Sequence, residues 1–267
     1  MIKIVTEHAH ALRIEVDKYL LDLFSEHSIF DRRNSDQGSR ARWSIGHIIS
    51  VPKNLSIEEH CTFGAGGHIC NTGSFTEIMS QFPLNSSIGR YCSISTDVKF
   101  LAFRHPMDSA IMSSASFNAS REFVSSYANS VAKRGISLEF NRVVTPQPQS
   151  APIKIGHDVW IGANVRLRGG IEVGNGAIIA SDSVVTKSVP PFAIVGGNPA
   201  KIIKYRFPEE VSSMLQSSEW WDIELYELHK LDIGNPEKFA RSVLDRKDQL
   251  EKYNPKMLKL NDHIAST

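Results

Sequence analysis

The sequence predicts a mainly β protein wound as a parallel β-helix, and its repeat carries the prediction. From Ile155 to Pro190 the chain divides into six consecutive hexads, IGHDVW, IGANVR, LRGGIE, VGNGAI, IASDSV and VTKSVP, each opening with Ile, Leu or Val. The fifth residues, Val159, Val165, Ile171, Ala177, Ser183 and Val189, are small or β-branched, while Gly, Asn, Asp and Lys fill the gaps. A period of six is neither the helical 3.6 nor a strand alternation. The pattern returns upstream, in IEEHCT and FGAGGH from Ile57 to His68 and in IGRYCS and ISTDVK from Ile88 to Lys99.

One aliphatic and one small inward position per hexad suit a triangular prism. Each hexad supplies a short strand and a corner, three hexads close one coil, and coils stack at about 4.8 Å. The competing architecture is a Gly- and Val-rich β-sandwich, whose strands keep no fixed period of six.

Ahead of the coils, ALRIEVDKYLLDLF places Leu12, Val16, Leu20 and Phe24 four apart, which predicts an amphipathic helix covering an end or flank of the prism. DRRNSDQGSRAR, from Asp31 to Arg42, reads as a polar linker, and SIGHIISV as the first strand. From Arg104 to Ala151 the hexad rule stops for about 48 residues rich in Ser, Asn and Arg and ending in TPQPQSAP. Excursions of that length are functional or mobile more often than not, and a short helix is expected around Ser120 to Lys133. After GNPAKIIKYRF, the segments PEEVSSMLQ and NPEKFARSVLDRKDQLEKY read as helices, the second with Asn235 as N-cap and Pro236 in the first turn. LKLNDHIAST at the end carries no readable pattern. The expected division is 1–42, an N-terminal helical segment and linker; 43–206, the β-helix with its excursion loop at 104–151; and 207–267, a C-terminal helical appendage.

Composition bounds the function classes. Thirty basic and 29 acidic side chains give a net charge of +1 on 267 residues, so the overall balance points to no nucleic-acid or membrane-surface partner. No apolar run reaches the roughly 18 residues of a transmembrane segment, and MIKIVTEHAHALRIEV lacks the form of a signal peptide. Cys61, Cys70 and Cys92 show no CxxC spacing, which suits a reducing compartment, and a cytoplasmic location is expected. Cys61 and Cys92 hold the fifth position of their hexads and read as packed interior thiols.

The string HDVWIGANV … SVVTKSVPPFAIVGGNPAKIIKYRF … EWW resembles the xenobiotic and polysaccharide O-acetyltransferase branch of the hexapeptide-repeat acyltransferases, as does GSFTEIMSQFP … IGRYCSIS, from Gly73 to Ser95. The resemblance covers roughly Ile88 to Trp221. It implies a left-handed parallel β-helix; the N-terminal helix, long excursion loop and C-terminal helical appendage are read from the residues above, and the enlarged loop and added N-terminal helix depart from the compact antibiotic enzymes. It also implies acetyl-CoA as acyl donor and a homotrimer with active sites between prisms.

In that branch the excursion loop opens with a histidine, here His105 of FRHPMD. The resemblance makes His105 the general base, since acyl transfer needs a base for the acceptor proton and a neutral imidazole titrates near pH 7. Pro106 holds the residue before it extended. The bland reading is a surface histidine in a loop. By the same resemblance Thr186 and Lys187 line the coenzyme groove, Lys201 and Lys204 meet the nucleotide phosphates, and Ala163 and Ser181 offer backbone contacts. Trp160 packs either beside the groove or against the next coil. The bland alternative for the lysines is solvated corners. Trp220 and Trp221 are expected to anchor the C-terminal helices. His60, His68 and His157 raise the question of a metal, but without a close HxxxxH pair none is expected.

The function implied is acetyl transfer to a hydroxyl, or less readily an amine, of a saccharide such as a capsular or O-antigen glycan. A chloramphenicol- or streptogramin-type antibiotic acetyltransferase is the alternative, and a non-catalytic β-helix scaffold is the alternative of another class.

Overall fold

The computed structural model describes residues 1–33, 40–101, 104–139 and 151–264. The middle of the polar linker and most of TPQPQSAP lie outside the described residues. The repeat builds the expected coils. Lys154–Ile155 pairs in parallel with Glu172–Val173, Trp160–Ile161 with Ile178–Ile179, and Arg166–Leu167 with Val184–Val185. Each pairing is offset by 18 residues, so three hexads close one turn. All twelve inward positions of the six hexads are between 0% and 4% exposed. At about 25 cal/mol per Å² of apolar surface, that continuous stack is the main stabilising term of the prism.

Three sheets make three faces. The first carries Asn71–Thr72, Ser87–Ile88, Lys154–Ile155 and Glu172–Val173; the second includes Glu77–Ile78, Ser93–Ile94, Trp160–Ile161 and Ile178–Ile179; the third has Lys99–Phe100, Arg166–Leu167 and Val184–Val185. The excursion is inserted between the third face and the next strand of the first, so Ile88 pairs with Ile155 and Phe100 with Leu167 across a 67-residue offset. Upstream coils are shorter: Ile78 pairs with Phe63 at an offset of 15 and with Ile94 at 16. The FGAGGH segment therefore opens a coil that does not keep the strict period.

Corners turn through left-handed residues, among them Asp97, Asn164 and Asp182, with φ between 57° and 62°. Asn and Asp tolerate this region because their short polar side chains bond locally. The Asn164 amide donates to the Asp182 carboxylate one coil away at 2.7 Å. At the first corner the coils approach so closely that a Cβ on Gly89 would lie 2.5 Å from the Gly156 carbonyl oxygen. Ser183, a polar residue inside the prism, is satisfied because the Gly197 N–H donates to its hydroxyl at 3.2 Å.

The N-terminus differs from the expectation. Ala11–Glu15 is a strand, antiparallel to both Ile4–Glu7 and Ile48–Pro52, and helix α1 begins only at Lys18 and ends at Glu26. SIGHIISV does contain a strand, Ile48–Pro52, but five others precede it among the described residues. Leu12, Ile14 and Val16 are buried, so the first half obeys a period of two. Spacing by four had linked Leu12 and Val16 to Leu20 and Phe24, but Asp17 separates the two elements: its carboxylate accepts from the Leu20 N–H at 2.8 Å and caps the helix.

Helix α2 spans Glu122–Ala132 within the excursion, α3 Glu209–Ser218, α4 Leu225–Leu228 and α5 Pro236–Asp245. Asn235 caps α5, accepting from the Lys238 N–H at 3.0 Å. That helix stops at Asp245, well short of Tyr253. The patternless C-terminal stretch returns to the prism: Met257–Lys259 pairs antiparallel with Ser56–Glu58, and Leu258 and Leu260 join the main core. Among the described residues no helix is long and apolar enough to cross a membrane.

Candidate active site

The third face has two bordering corners, which hold four of the residues singled out from the sequence, Ala163, Ser181, Thr186 and Lys187. Lys99 and Arg166 are neighbours in its register and both point outward. Like charges placed opposite each other on a sheet repel, and the Asp97 carboxylate, 4.0 Å from the Lys99 ammonium, offsets part of that cost.

Ala163 and Ser181 stand one coil apart at the corner before this face. The Asp182 N–H donates to the Ala163 carbonyl at 3.0 Å, and a Cβ on Gly162 would lie 2.6 Å from the Ser181 backbone nitrogen. Val195 follows Ile179 in the adjoining face, and the chain then reverses, so that Ala200–Tyr205 pairs antiparallel with Ala193–Gly197. Lys201 and Lys204 ride on this last strand, both exposed, Lys201 opposite Gly196 and Lys204 opposite Ile194. Trp160 lies on the second face, 56% exposed, so it does not pack under the next coil.

Thr186 and Lys187 occupy the corner after the third face, Thr186 half-buried and Lys187 exposed. The excursion leaves from the same edge: Leu101 N–H donates to Leu167 O, and Arg168 N–H in turn to Val185 O, both at 2.9 Å. Arg168 thus stands between the root of the excursion and Thr186. Its guanidinium donates to the Thr186 carbonyl at 3.3 Å, and its buried Nε has no hydrogen-bond partner among the described residues. No motif singled out Arg168; its position 18 residues before Thr186 is the signal that could have found it.

His105 is exposed and lies a few residues past Leu101, with buried Pro106 behind it. Its Nδ1 lies 2.6 Å from the Met112 carbonyl oxygen, and its ring meets Phe117 edge-on at 5.8 Å. A carbonyl only accepts, so Nδ1 carries the proton and Nε2 is the basic nitrogen of the neutral ring. The structure thus brings Arg168, Thr186, Lys187 and the root of the His105 loop to one edge, while Ala163, Ser181 and Lys201 belong to the next.

The other expected groups are structural. Trp221 is buried and stacked on His157, and Trp220 packs against Tyr91 and Phe239, which ties the C-terminal helices to the coils. Arg90, also unread in the sequence, joins the Glu58 carboxylate at 2.7 Å, Asp222 at 2.7 Å and the Trp221 carbonyl at 3.2 Å. Cys61, Cys70 and Cys92 are free and buried, and burial pushes the thiols of Cys70 and Cys92 up to about 12.

Residues 152–187 match the family of bacterial transferase hexapeptides (six repeats). A protein of Lysinibacillus sphaericus named "Probable macrolide acetyltransferase" is 40% identical over 141 residues, 51% of this chain and 68% of that one. A chloramphenicol acetyltransferase of Klebsiella aerogenes is 51% identical over 82 residues, 31% of this chain and 38% of that one. Among solved structures, a maltose O-acetyltransferase from Clostridium difficile 630 is similar at 25% identity, covering 57% of this chain and 64% of that one with a TM-score of 0.35. The six repeats, their 18-residue register and the match along 68% of the first relative identify the chain as a member of the hexapeptide-repeat acetyltransferase family.

Proposed function

We propose that this protein is an acetyl-CoA-dependent O-acetyltransferase acting on a saccharide hydroxyl, with His105 as general base. The observation that carries this reading is the hydrogen bond from His105 Nδ1 to the Met112 carbonyl, which orients an exposed imidazole with Nε2 as its base. In a ternary complex the acceptor oxygen attacks the thioester carbonyl as its proton passes to Nε2. The tetrahedral intermediate then collapses, the acetyl group stays on the acceptor, and the imidazolium returns the proton to the departing thiolate of coenzyme A.

The phosphates of acetyl-CoA call for cations, and Lys187, Lys201 and Lys204 are exposed on the corner and terminal strand beside the third face. Thr186 would line the pantetheine path, Ala163 and Ser181 would offer backbone contacts, and exposed Trp160 would flank the groove. In the same reading the coils wind left-handed. Residues 43–206 form the catalytic domain flanked by 1–42 and 207–267, and the chain works in the cytoplasm as a homotrimer.

A second reading, acetylation of an antibiotic hydroxyl, is favoured by the names of the curated relatives. Calorimetric titration with acetyl-CoA tests the shared part: one saturable site per chain supports transfer, and no binding moves a non-catalytic prism to first place. A transfer assay on neutral glycans, chloramphenicol and a macrolide then separates the acceptors. Acetylation of the antibiotics alone would reverse the order.

A further inference from the structure

A cleft of about 660 Å³ lies on the first face, where the N-terminal sheet meets the coils and the excursion rejoins them. Its size suits a small organic ligand. His10, Asn54, Asn71, Asn85 and Ser87 supply its polar lining, and Leu84 and Pro152 its apolar walls. No lysine, arginine or carboxylate is among its described lining residues. With His10 the one titratable side chain among them, that composition favours a neutral ligand over phosphates and other ions, which need opposite charge when they leave water.

Asparagine amides both donate and accept, as sugar hydroxyls do, and proline rings offer flat apolar surface to the C–H faces of a pyranose. The Asn71 carbonyl is held in place, accepting from the Ser56 N–H at 2.9 Å, which pins the amide and leaves Nδ2 as the group it can present. Ser86, 2% exposed on the cleft wall, has a hydroxyl with no hydrogen-bond partner among the described residues. A buried hydroxyl without a partner carries a cost, and this oxygen is closed to solvent behind the wall.

The cleft also has a place relative to the chemistry. Ser87 N–H donates to Ile153 O at 3.0 Å, and Gly170 N–H donates to Ala151 O at 3.1 Å. The wall of the cleft, the return of the excursion and the corner of Thr186 and Lys187 therefore follow one another along the same edge of the prism, coil by coil.

We propose that this cleft is a binding site for a neutral oligosaccharide, separate from the acetyl-transfer site and able to hold a distal part of a chain whose end reaches the His105 loop. The second clause rests on the saccharide reading; the binding itself does not.

The test is titration of the full chain with maltotetraose, cellotetraose, chitotetraose and mannotetraose. The wild type is compared with Ser87→Trp, which fills the cleft from an exposed position, and Asn54→Leu, which removes an exposed amide. At least one tetrasaccharide should bind, both variants should weaken it about tenfold or more, and acetyl-CoA binding should be unchanged. Absence of binding across the panel, or binding unaltered in both variants, overturns the proposal. Binding lost in the variants but without acetyl transfer to any glycan upholds the cleft and sinks the saccharide-acceptor reading. Glycan acetylation with no cleft-dependent binding does the reverse.

Discussion

The indole of Trp221 lies flat on the imidazole of His157, with ring centroids 4.7 Å apart and planes within 2°. The Arg90 N–H donates to His157 Nδ1 at 3.0 Å, which assigns the ring proton to Nε2. One corner of the prism, one backbone amide and the C-terminal segment thus meet on a single neutral histidine. Burial holds this imidazole below its ordinary value of 6.5, with Arg90 adding to the effect and Asp222 and Glu58 opposing it. Burial does the same to His68.

Stability should therefore fall on mild acidification. A base with a lowered folded-state pKa binds fewer protons than in the unfolded chain, so stability is full above pH 6.5 and is lost as pH falls from there toward the folded value. Urea midpoints measured between pH 8 and pH 5 should decline, and His157→Gln should flatten part of that slope. A wild-type midpoint constant over this range would contradict the assignment.

Trp221→Ala should destabilise by about 3–5 kcal/mol, the usual cost of removing a buried tryptophan. Chemical denaturation read by circular dichroism measures it. A loss below about 1 kcal/mol would mean that the stack does not hold the C-terminal helices.

Arg90→Met should cost about 3 kcal/mol, because it leaves the Glu58 carboxylate, 15% exposed, without its guanidinium. Burial pushes the Glu58 carboxyl up, but its hydrogen bonds to Arg90 and Ser74 hold it below the ordinary 4.5. Its contribution is present above pH 4.5 and is lost as pH falls through the folded value. The acid limb of the stability profile should be shallower in Glu58→Gln than in wild type.

The three thiols should resist Ellman's reagent in the native state and all react in urea, since burial both blocks access and disfavours the thiolate. Rapid native labelling of even one would show that the coils open locally.

His105→Ala should lower turnover about 10²- to 10⁴-fold with acetyl-CoA affinity preserved, the range that a positioned general base supplies. Steady-state transfer with a competent acceptor, alongside calorimetry, separates the two effects. Unchanged turnover would remove His105 from the mechanism.

Much of the architecture was legible because a prism imposes one rule on every hexad. The twelve inward positions from Ile155 to Val189 are buried as read, α5 starts on Asn235 and Pro236, and α2 falls inside the stretch expected for it. The N-terminus misled because Leu12 and Val16 satisfy two periods at once: four apart on a helix, even-numbered on a strand. Pairing with Ile48–Pro52 chose the strand, a long-range hydrogen-bond ladder that local spacing does not contain.

The candidate site divides the same way. His105, Thr186 and Lys187 were readable as residue types, and their arrangement follows from the 18-residue register together with the point where the excursion leaves. Arg168, the Arg90 cluster and the Asn-lined cleft were not readable, because each depends on groups far apart in the chain meeting at one corner or edge.

By itself, then, the sequence determined the coil: inward aliphatic and small side chains at fixed intervals admit only a stacked prism, since burial and backbone pairing are satisfied together. Only the tertiary structure decided how the ends close on it. The strand at Met257–Lys259 and the plane of Trp221 on His157 are set by long-range packing, and a segment with no period of its own acquires a conformation only from the surface that receives it.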